Sequence, residues 1–309
     1  MISYLFRSLL RAIPTLIVSW ALIFGAFQII PGDPVNLMLG GVPASPQVRA
    51  NLRSALGLDR SVPERFVFFL RNIARGDLGT SYRTREPVAR MVASQIPPTL
   101  QLTAGGLFFG IIFGFGFGLL SGLKPNGTTD LVCSAVVLLG ASIPSFWSGL
   151  LLIWVFSALL GWVPILGGGL AALILPSVTV GLFVVAGLAR LIRASVIETM
   201  GQDYVRTARA KGLSPSRVVI HHALRNAMIP PITLLGMQIA TMIGGAMVTE
   251  NIFARPGIGT LLIQSVLARD LPVVQAIVVY TTAAYILINL LVDLLSYAID
   301  PRIRLGRTP

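Results

Sequence analysis

Five stretches of the chain contain no Asp, Glu, Lys or Arg: Ala12–Gly32, Met91–Leu123, Leu131–Ala189, Asn226–Thr249 and Leu271–Val292. About 20 consecutive apolar residues in a helix cross the hydrocarbon core of a bilayer. Four of the stretches therefore predict one crossing helix each, and Leu131–Ala189 is long enough for two. Its internal hairpin reads as Gly161-Trp162-Val163-Pro164 followed by Gly167-Gly168-Gly169. The predicted spans are Ala12–Ile30, Thr99–Leu123, Leu131–Leu160, Leu170–Ala189, Met228–Thr249 and Val273–Ser296. This is an all-α integral membrane pattern.

Composition agrees with that pattern and narrows the function. Hydrophobic residues make up 54% of the 309 and charged residues 12%, about half the charge of an ordinary soluble domain. The excess of 24 Lys and Arg over 12 Asp and Glu would suit a nucleic-acid binder, but the charges sit between apolar runs and form no continuous basic face. No nucleic-acid partner is expected; membrane lipid is. The single Cys133 has no partner for an internal disulfide.

The same charges orient the spans. With the N-terminus cytoplasmic, the inside receives Arg7, Arg11, Lys124, the basic residues from Arg190 to Arg225, and Arg302, Arg304 and Arg307. The short outside loops receive only Arg255 and Arg269. The first outside segment, Pro31–Pro98, holds nine arginines, but it is too long for loop charge to govern its translocation. Both termini are thus expected in the cytoplasm. Arg7 and Arg11 ahead of an apolar run also resemble a signal sequence, yet Pro14 interrupts the run and no small-x-small cleavage site follows. A retained first span is expected.

Between the first two spans the sequence predicts a helical periplasmic insert. Ser45-Pro46 opens a helix that Gly57 ends, with Val48, Leu52 and Leu56 on one face. Pro63 opens another ending at Gly76, with Phe66, Phe69, Leu70 and Ile73 on one face. Within the second span Gly106, Gly110, Gly114, Gly118 and Gly122 recur at i+4, a ridge on which another helix packs closely or slides. In the third span Pro144 breaks the backbone ladder; Ser142, Ser145 and Ser148 can satisfy the freed groups. The break, beside Phe146 and Trp147, lines a pathway or kinks a packed helix. After Glu250, Pro256-Gly257-Ile258-Gly259 interrupts the chain. The uncharged Thr260–Ala268, with Leu261, Leu262, Ser265 and Val266, is expected to dip into the outer mouth of the bundle. Pro144, Phe146, Trp147, Glu250, Leu261 and Leu262 are the candidates for the path or its gate.

The segment after the fourth span carries the most information. Gly201-Gln202-Asp203-Tyr204-Val205-Arg206-Thr207-Ala208-Arg209-Ala210-Lys211-Gly212 predicts a short helix, with Asp203 capping its start and Gly212 its end. Ser214-Pro215 predicts a second through Arg225. A basic helix pair here rests on anionic lipid or is offered to a cytoplasmic partner. In the second case Tyr204, Val205 and Ala208 supply the apolar contact, 204 and 208 on one face at i+4 and Ala208 fitting by its small size, and Arg206, Arg209 and Lys211 form a basic rim.

Asp203–Ser214, together with His222-Ala223-Leu224-Arg225-Asn226-Ala227-Met228-Ile229-Pro230, resembles the cytoplasmic loop of binding-protein-dependent ATP-binding-cassette import permeases. The family pattern Glu-Ala-Ala-x-x-x-Gly appears as Arg206, Thr207, Ala208 and Gly212, a departure at the Glu position that resembles the dipeptide/oligopeptide/nickel branch. Further matches are Pro31-Gly32-Asp33-Pro34, Leu56-Gly57-Leu58-Asp59, Gly76-Asp77-Leu78-Gly79-Thr80-Ser81, Ile143-Pro144-Ser145-Phe146-Trp147, Glu250-Asn251-Ile252-Phe253, Pro256-Gly257-Ile258-Gly259, Arg269-Asp270-Leu271-Pro272 and Asp300-Pro301-Arg302-Ile303-Arg304. The resemblance implies a first-type membrane subunit paired with a homologous permease, two cytoplasmic ATPase subunits and an external substrate-binding protein. It implies that Asp203, Tyr204, Arg206, Thr207, Ala208, Arg209, Lys211 and Gly212 couple to the ATPase. Di- or oligopeptide is the implied cargo, with nickel, glutathione or another small solute as the alternative. The corresponding domains are 1–94, first span and insert; 95–298, permease core with coupling loop 190–225; and 299–309, tail.

No Gly-x-x-x-x-Gly-Lys-Ser/Thr phosphate loop occurs, and the lysines are Lys124 and Lys211 alone. ATP and Mg²⁺ are therefore expected in partner subunits, with no cofactor, metal or catalytic residue in this chain. His221 and His222 are adjacent on a helix, point about 100° apart and have no further ligand. Asp293, near the cytoplasmic end of the last span, reads as a packing partner rather than a proton relay. An autonomous ion-coupled transporter would need paired mid-span acids and often an inverted repeat, and a membrane enzyme a nucleophile–base set; neither pattern is evident.

Overall fold

The structure, a computed structural model, describes residues 2–29, 33–39, 42–165, 167 and 169–299. Every regular element among them is helical, apart from an isolated antiparallel bridge between Thr80 and Pro87. The tail 299–309 expected in the cytoplasm lies almost wholly outside the described residues, as does the Asp293 side chain. Two compact units emerge. One is Ile2–Pro97 with Pro256–Leu287; the other is Pro98–Arg255 with the chain from Ile288 on.

The first unit holds α1 (Ile2–Ile29), α2 (Pro34–Leu39), α3 (Pro46–Ala55) and α4 (Val62–Ala74). Ser45 Oγ accepts the Val48 amide at 3.3 Å to start α3. Gly57, at φ +67°, turns the chain so that the Leu58 amide reaches Arg53 O at 2.9 Å. A capping box opens α4: Glu64 Oε2 accepts the Ser61 amide at 3.0 Å and its hydroxyl at 2.9 Å, and these bonds hold the Glu64 carboxyl below its usual range. Phe66 and Phe69 of α4 set their rings 5.4 and 5.6 Å from Phe24 of α1. The predicted apolar face of α4 is thus used. α13 (Ile258–Leu267) and the start of α14 (Leu271–Ile299) complete the unit. Asp270 between them accepts the Ser81 hydroxyl and, at 3.0 Å, the Tyr82 amide.

The second unit is built on α5 (Val88–Leu123) from Pro98 on, α6 (Thr128–Ser142), α7 (Ser145–Leu152), α8 (Ala171–Met200) and α12 (Ile229–Ile252). α5 begins well before the expected Thr99, and Pro97-Pro98 do not stop it. The carbonyls that the two prolines leave unbonded belong to Ala93 and Ser94, which are exposed, so solvent can satisfy them. α8 likewise outruns its predicted end at Ala189. Arg190 and Arg193 continue it because each finds an acceptor, Ala186 O at 3.1 Å and Asp130 at 2.7 Å. The third predicted span is two limbs bent by 106° at Ile143-Pro144. Pro144 is extended at φ −56° and ψ 139°, and its carbonyl accepts the Trp147 and Ser148 amides at 3.0 Å. Ser142 and Ser148 hydroxyls donate to Leu138 O and Ser145 O at 2.8 Å. α7 runs on as a π-helical stretch, Ile153–Leu159.

The glycine row of α5 lies on a row of branched residues of α8. Gly106 faces Val180, Gly110 Val184, Gly114 Leu188, Gly118 Ile192 and Gly122 Val196. A methyl group built on Gly110 would stand 2.4 Å from Val184 Cβ. Both numberings rise together, so α5 and α8 run parallel. Two parallel crossing helices need an odd number of crossings between them. The bent pair α6–α7 must therefore traverse the membrane rather than return to the side it entered. α1, α5, α8, α12 and α14 have the length and hydropathy of spans, and the bent pair counted as one brings the candidates to six among the described residues.

Candidate functional site

The loop between α8 and α12 starts with Gly201 and Gln202, and α9 follows at Asp203–Ala210. Gln202, not Asp203, is the N-cap residue, extended at φ −72° and ψ 149°. Asp203 is the first helical residue and reaches Arg206 at 3.6 Å. Both side chains are exposed, so that pair adds little stability. Lys211 closes the helix, and Gly212 takes φ +76°, which lets its amide reach Arg209 O at 2.9 Å. The expected second helix runs without a gap from Pro215 to Ala227, as α10 (Pro215–Arg217), a π-helical stretch Val218–Ala223, and α11 (Leu224–Ala227).

One contact expectation is corrected. Val205 and Ala208 do not face outward: they are buried with Val218, and Met200 and Leu213 pack around them. The inward turn follows from α9 spacing, since 205 and 208 share a face at i+3 and supply the only apolar anchor for so polar a helix. Ala208 is small because its own chain surrounds it. The face left outward carries Asp203, Arg206, Thr207, Ala210 and Lys211, all exposed, with Arg209 at its edge. Tyr204 is 41% exposed. Its phenol oxygen accepts a 2.9 Å hydrogen bond from Asn226 Nδ2, tying α9 to the entrance of α12.

Of the path candidates in the second unit, Phe146 and Trp147 are half exposed at the Pro144 break. Glu250 has no exposed surface and accepts the Thr99 hydroxyl, so in this conformation its carboxylate meets protein. Leu261 and Leu262, in the other unit, are half-buried on α13.

A further site escaped the sequence reading. Asp130, at the start of α6, is 5% exposed and receives Arg193 Nε at 2.7 Å and Nη2 at 2.7 Å. Ser121 of α5, Ser134 and the Asn126 amide complete its shell. The pair locks the α5–α6 turn to α8, about two helical turns before the loop begins. The only signal was that Asp130 and Arg193 each flank an apolar run; nothing in a linear sequence says that those flanks meet. Among the described residues no cluster of three His, Cys, Asp or Glu could hold a metal.

Comparison with known proteins places the chain. Residues 106–305 match the family described as binding-protein-dependent transport system inner membrane component, and residues 1–103 match its N-terminal membrane-component family. Glutathione transport system permease protein GsiC of Pectobacterium atrosepticum is 43% identical over 305 residues, 98% of this chain and 99% of that protein. GsiC of Escherichia coli K12 gives the same identity and coverage. Among solved structures, the inward-facing MetNI methionine transporter covers 70% of this chain and 99% of its own at a TM-score of 0.55 and 21% identity. An amino acid ABC transporter with histidines covers 68% of this chain and 94% of its own, at 0.55 and 18%. These two support the fold alone. The helical membrane architecture, the α8–α12 loop and full-length kinship together establish that the chain belongs to the binding-protein-dependent inner membrane components, as a permease subunit of an ATP-binding-cassette importer in the dipeptide/oligopeptide/nickel branch.

Proposed function

We propose that this permease forms half of an import path for short peptides, with glutathione, itself a tripeptide, the favoured cargo. The observation that carries the cargo is 43% identity to GsiC proteins along 98% of the chain. A homologous second permease supplies the other half of the path. Two cytoplasmic ATPase subunits supply ATP and Mg²⁺ binding, and an external binding protein delivers cargo. In this reading the loop and both termini face the cytoplasm of a bacterial inner membrane, as the basic flanks favour.

Coupling follows from the loop's construction. The outward face of α9, with Arg206, Arg209 and Lys211 beside Tyr204, suits a groove with acidic edges on an ATPase. The inward face, Val205 and Ala208, is fixed to Val218, and the Tyr204–Asn226 bond joins α9 to α11, which leads directly into α12. A push on α9 is thereby transmitted to a membrane-crossing helix instead of being absorbed by a floppy loop. Pro144, Phe146 and Trp147 border the path at the bend of the third span, and Leu261 and Leu262 belong to its outer gate.

Uptake of labelled glutathione, a dipeptide and nickel into vesicles holding the whole transporter tests the cargo. Glutathione uptake that needs ATP and the binding protein is expected; transport of the dipeptide or nickel alone would reject it. Docking is tested separately, with a cysteine at Tyr204 in Cys133-free protein. It should cross-link to the ATPase, and labelling of that cysteine only from outside the cell would refute both docking and orientation.

A further inference from the structure

We propose that a groove along α6 and α8 binds an anionic phospholipid, with the phosphate on Arg190 and an acyl chain along Val137, Leu138 and Ala141. The groove is a cavity of about 310 Å³ within the second unit, bordered by those residues, Ser134 and Arg193. The two arginines at its end differ in state. Arg193 is neutralised by the bidentate bond to Asp130. Arg190 spends only Nε, on Ala186 O at 3.1 Å, and its terminal nitrogens have no partner among the described residues. The groove therefore carries one uncompensated positive charge.

Depth decides what kind of anion belongs there. α8 begins at Ala171, and at 1.5 Å per residue Arg190 stands about 28 Å along it, close to the ~30 Å thickness of the hydrocarbon core. A guanidinium there lies at headgroup level, where an arginine on a span seeks phosphate or water. From that level the groove runs inward along one face of α6 through Ser134, Val137, Leu138 and Ala141, at i, i+3, i+4 and i+7. Leu138 is 63% exposed and Val137 only 6%, which gives an open apolar trough rather than a sealed cavity. A free anion would match the charge but leave the trough bare; a phospholipid matches both.

The test uses the intact transporter, purified in mild detergent, with native mass spectrometry of bound lipid and a photoreactive phosphatidylglycerol. Wild type should retain phosphatidylglycerol. R190Q should lose at least fivefold of it, R190K should keep it, and A141W should lose acyl-chain labelling around Leu138. Inorganic phosphate at millimolar concentration should not displace the lipid. Equal lipid retention by R190Q, displacement by phosphate alone, or efficient cross-linking of a cysteine at Leu138 to the second permease subunit would each overturn the proposal.

Discussion

Asp130 and Arg193, 63 residues apart in sequence, meet in a two-pronged ion pair with both oxygen–nitrogen distances at 2.7 Å. Removing one partner strands the other charge and leaves its hydrogen bonds unmade, a loss tempered by solvent because Arg193 keeps a third of its surface exposed. D130A should therefore lower the thermal midpoint of the purified protein clearly. The double variant D130L/R193M should recover most of that loss, since it leaves no unpaired charge. A double variant as unstable as D130A would contradict this account.

The glycine row gives a contrast within one helix. G110A sets a methyl group 2.4 Å from Val184 Cβ, and such overpacking costs about 1–3 kcal/mol. Gly116, on another face of α5, has nothing within 4 Å of a built Cβ, so G116A should cost nothing and gain the helix preference of Ala, about 0.5–1 kcal/mol. Paired melting curves in one detergent check the difference.

Gly212 is a purely backbone case. Its φ is +76° and a Cβ there meets nothing within 4 Å, so G212V strains only the chain, by about 1 kcal/mol or more. Insertion and complex assembly should stay normal while transport per ATP hydrolysed falls. Wild-type uptake by G212V would dismiss a coupling role for this turn.

Ala208 acts through its own chain. A208W drives an indole into the packing of Val205, Val218, Met200 and Leu213, and should expose α9 to proteolysis before any partner is added. Replacing the outward Arg206 by Glu should leave protease resistance unchanged and weaken ATPase association in a salt-dependent way. Limited digestion of the two variants, with and without ATPase, separates the effects.

Tyr82 supplies a pH signature outside the membrane. Burial, assisted by the Asp270 charge and opposed by Arg65, pushes its phenol up to about 12 from 10.0. The folded state holds this proton more tightly, so the associated stability is intact below pH 10 and drains away between pH 10 and about 12. Y82F should lose that pH dependence, measured as the difference in melting midpoint from wild type between pH 9 and 11.

Much of the fold was legible because lipid imposes a simple rule: a crossing segment must be apolar for about 20 residues. The charge gaps located all six spans, and Ser45-Pro46, Gly57 and Pro63 located the helices of the insert. Span ends were less legible. Arg190 and Arg193 looked like the start of a loop, because their acceptors lie one turn back and on another helix. The Pro144 break was foreseen, but its 106° was not, since proline shows where a ladder is cut and not how far the limbs swing. The loop's motif was plain in sequence. The inward turn of Ala208 was not, because the alternative face of α9 includes Tyr204, and only the position of Val218 shows which face is covered.

The α5–α8 contact has one more property. Both rows repeat every four residues, so the interface has a period of its own, about 6 Å along the axes. Moving α5 by one period would set Gly110 on Val180, Gly114 on Val184, Gly118 on Leu188 and Gly122 on Ile192, restoring four of the five pairings. The repeat alone therefore leaves the register of the seam degenerate, and the Asp130–Arg193 pair, which ties the α5–α6 turn to α8, selects the observed one. Closeness and register are thus set by different parts of the contact, the glycines giving the first and the ion pair the second.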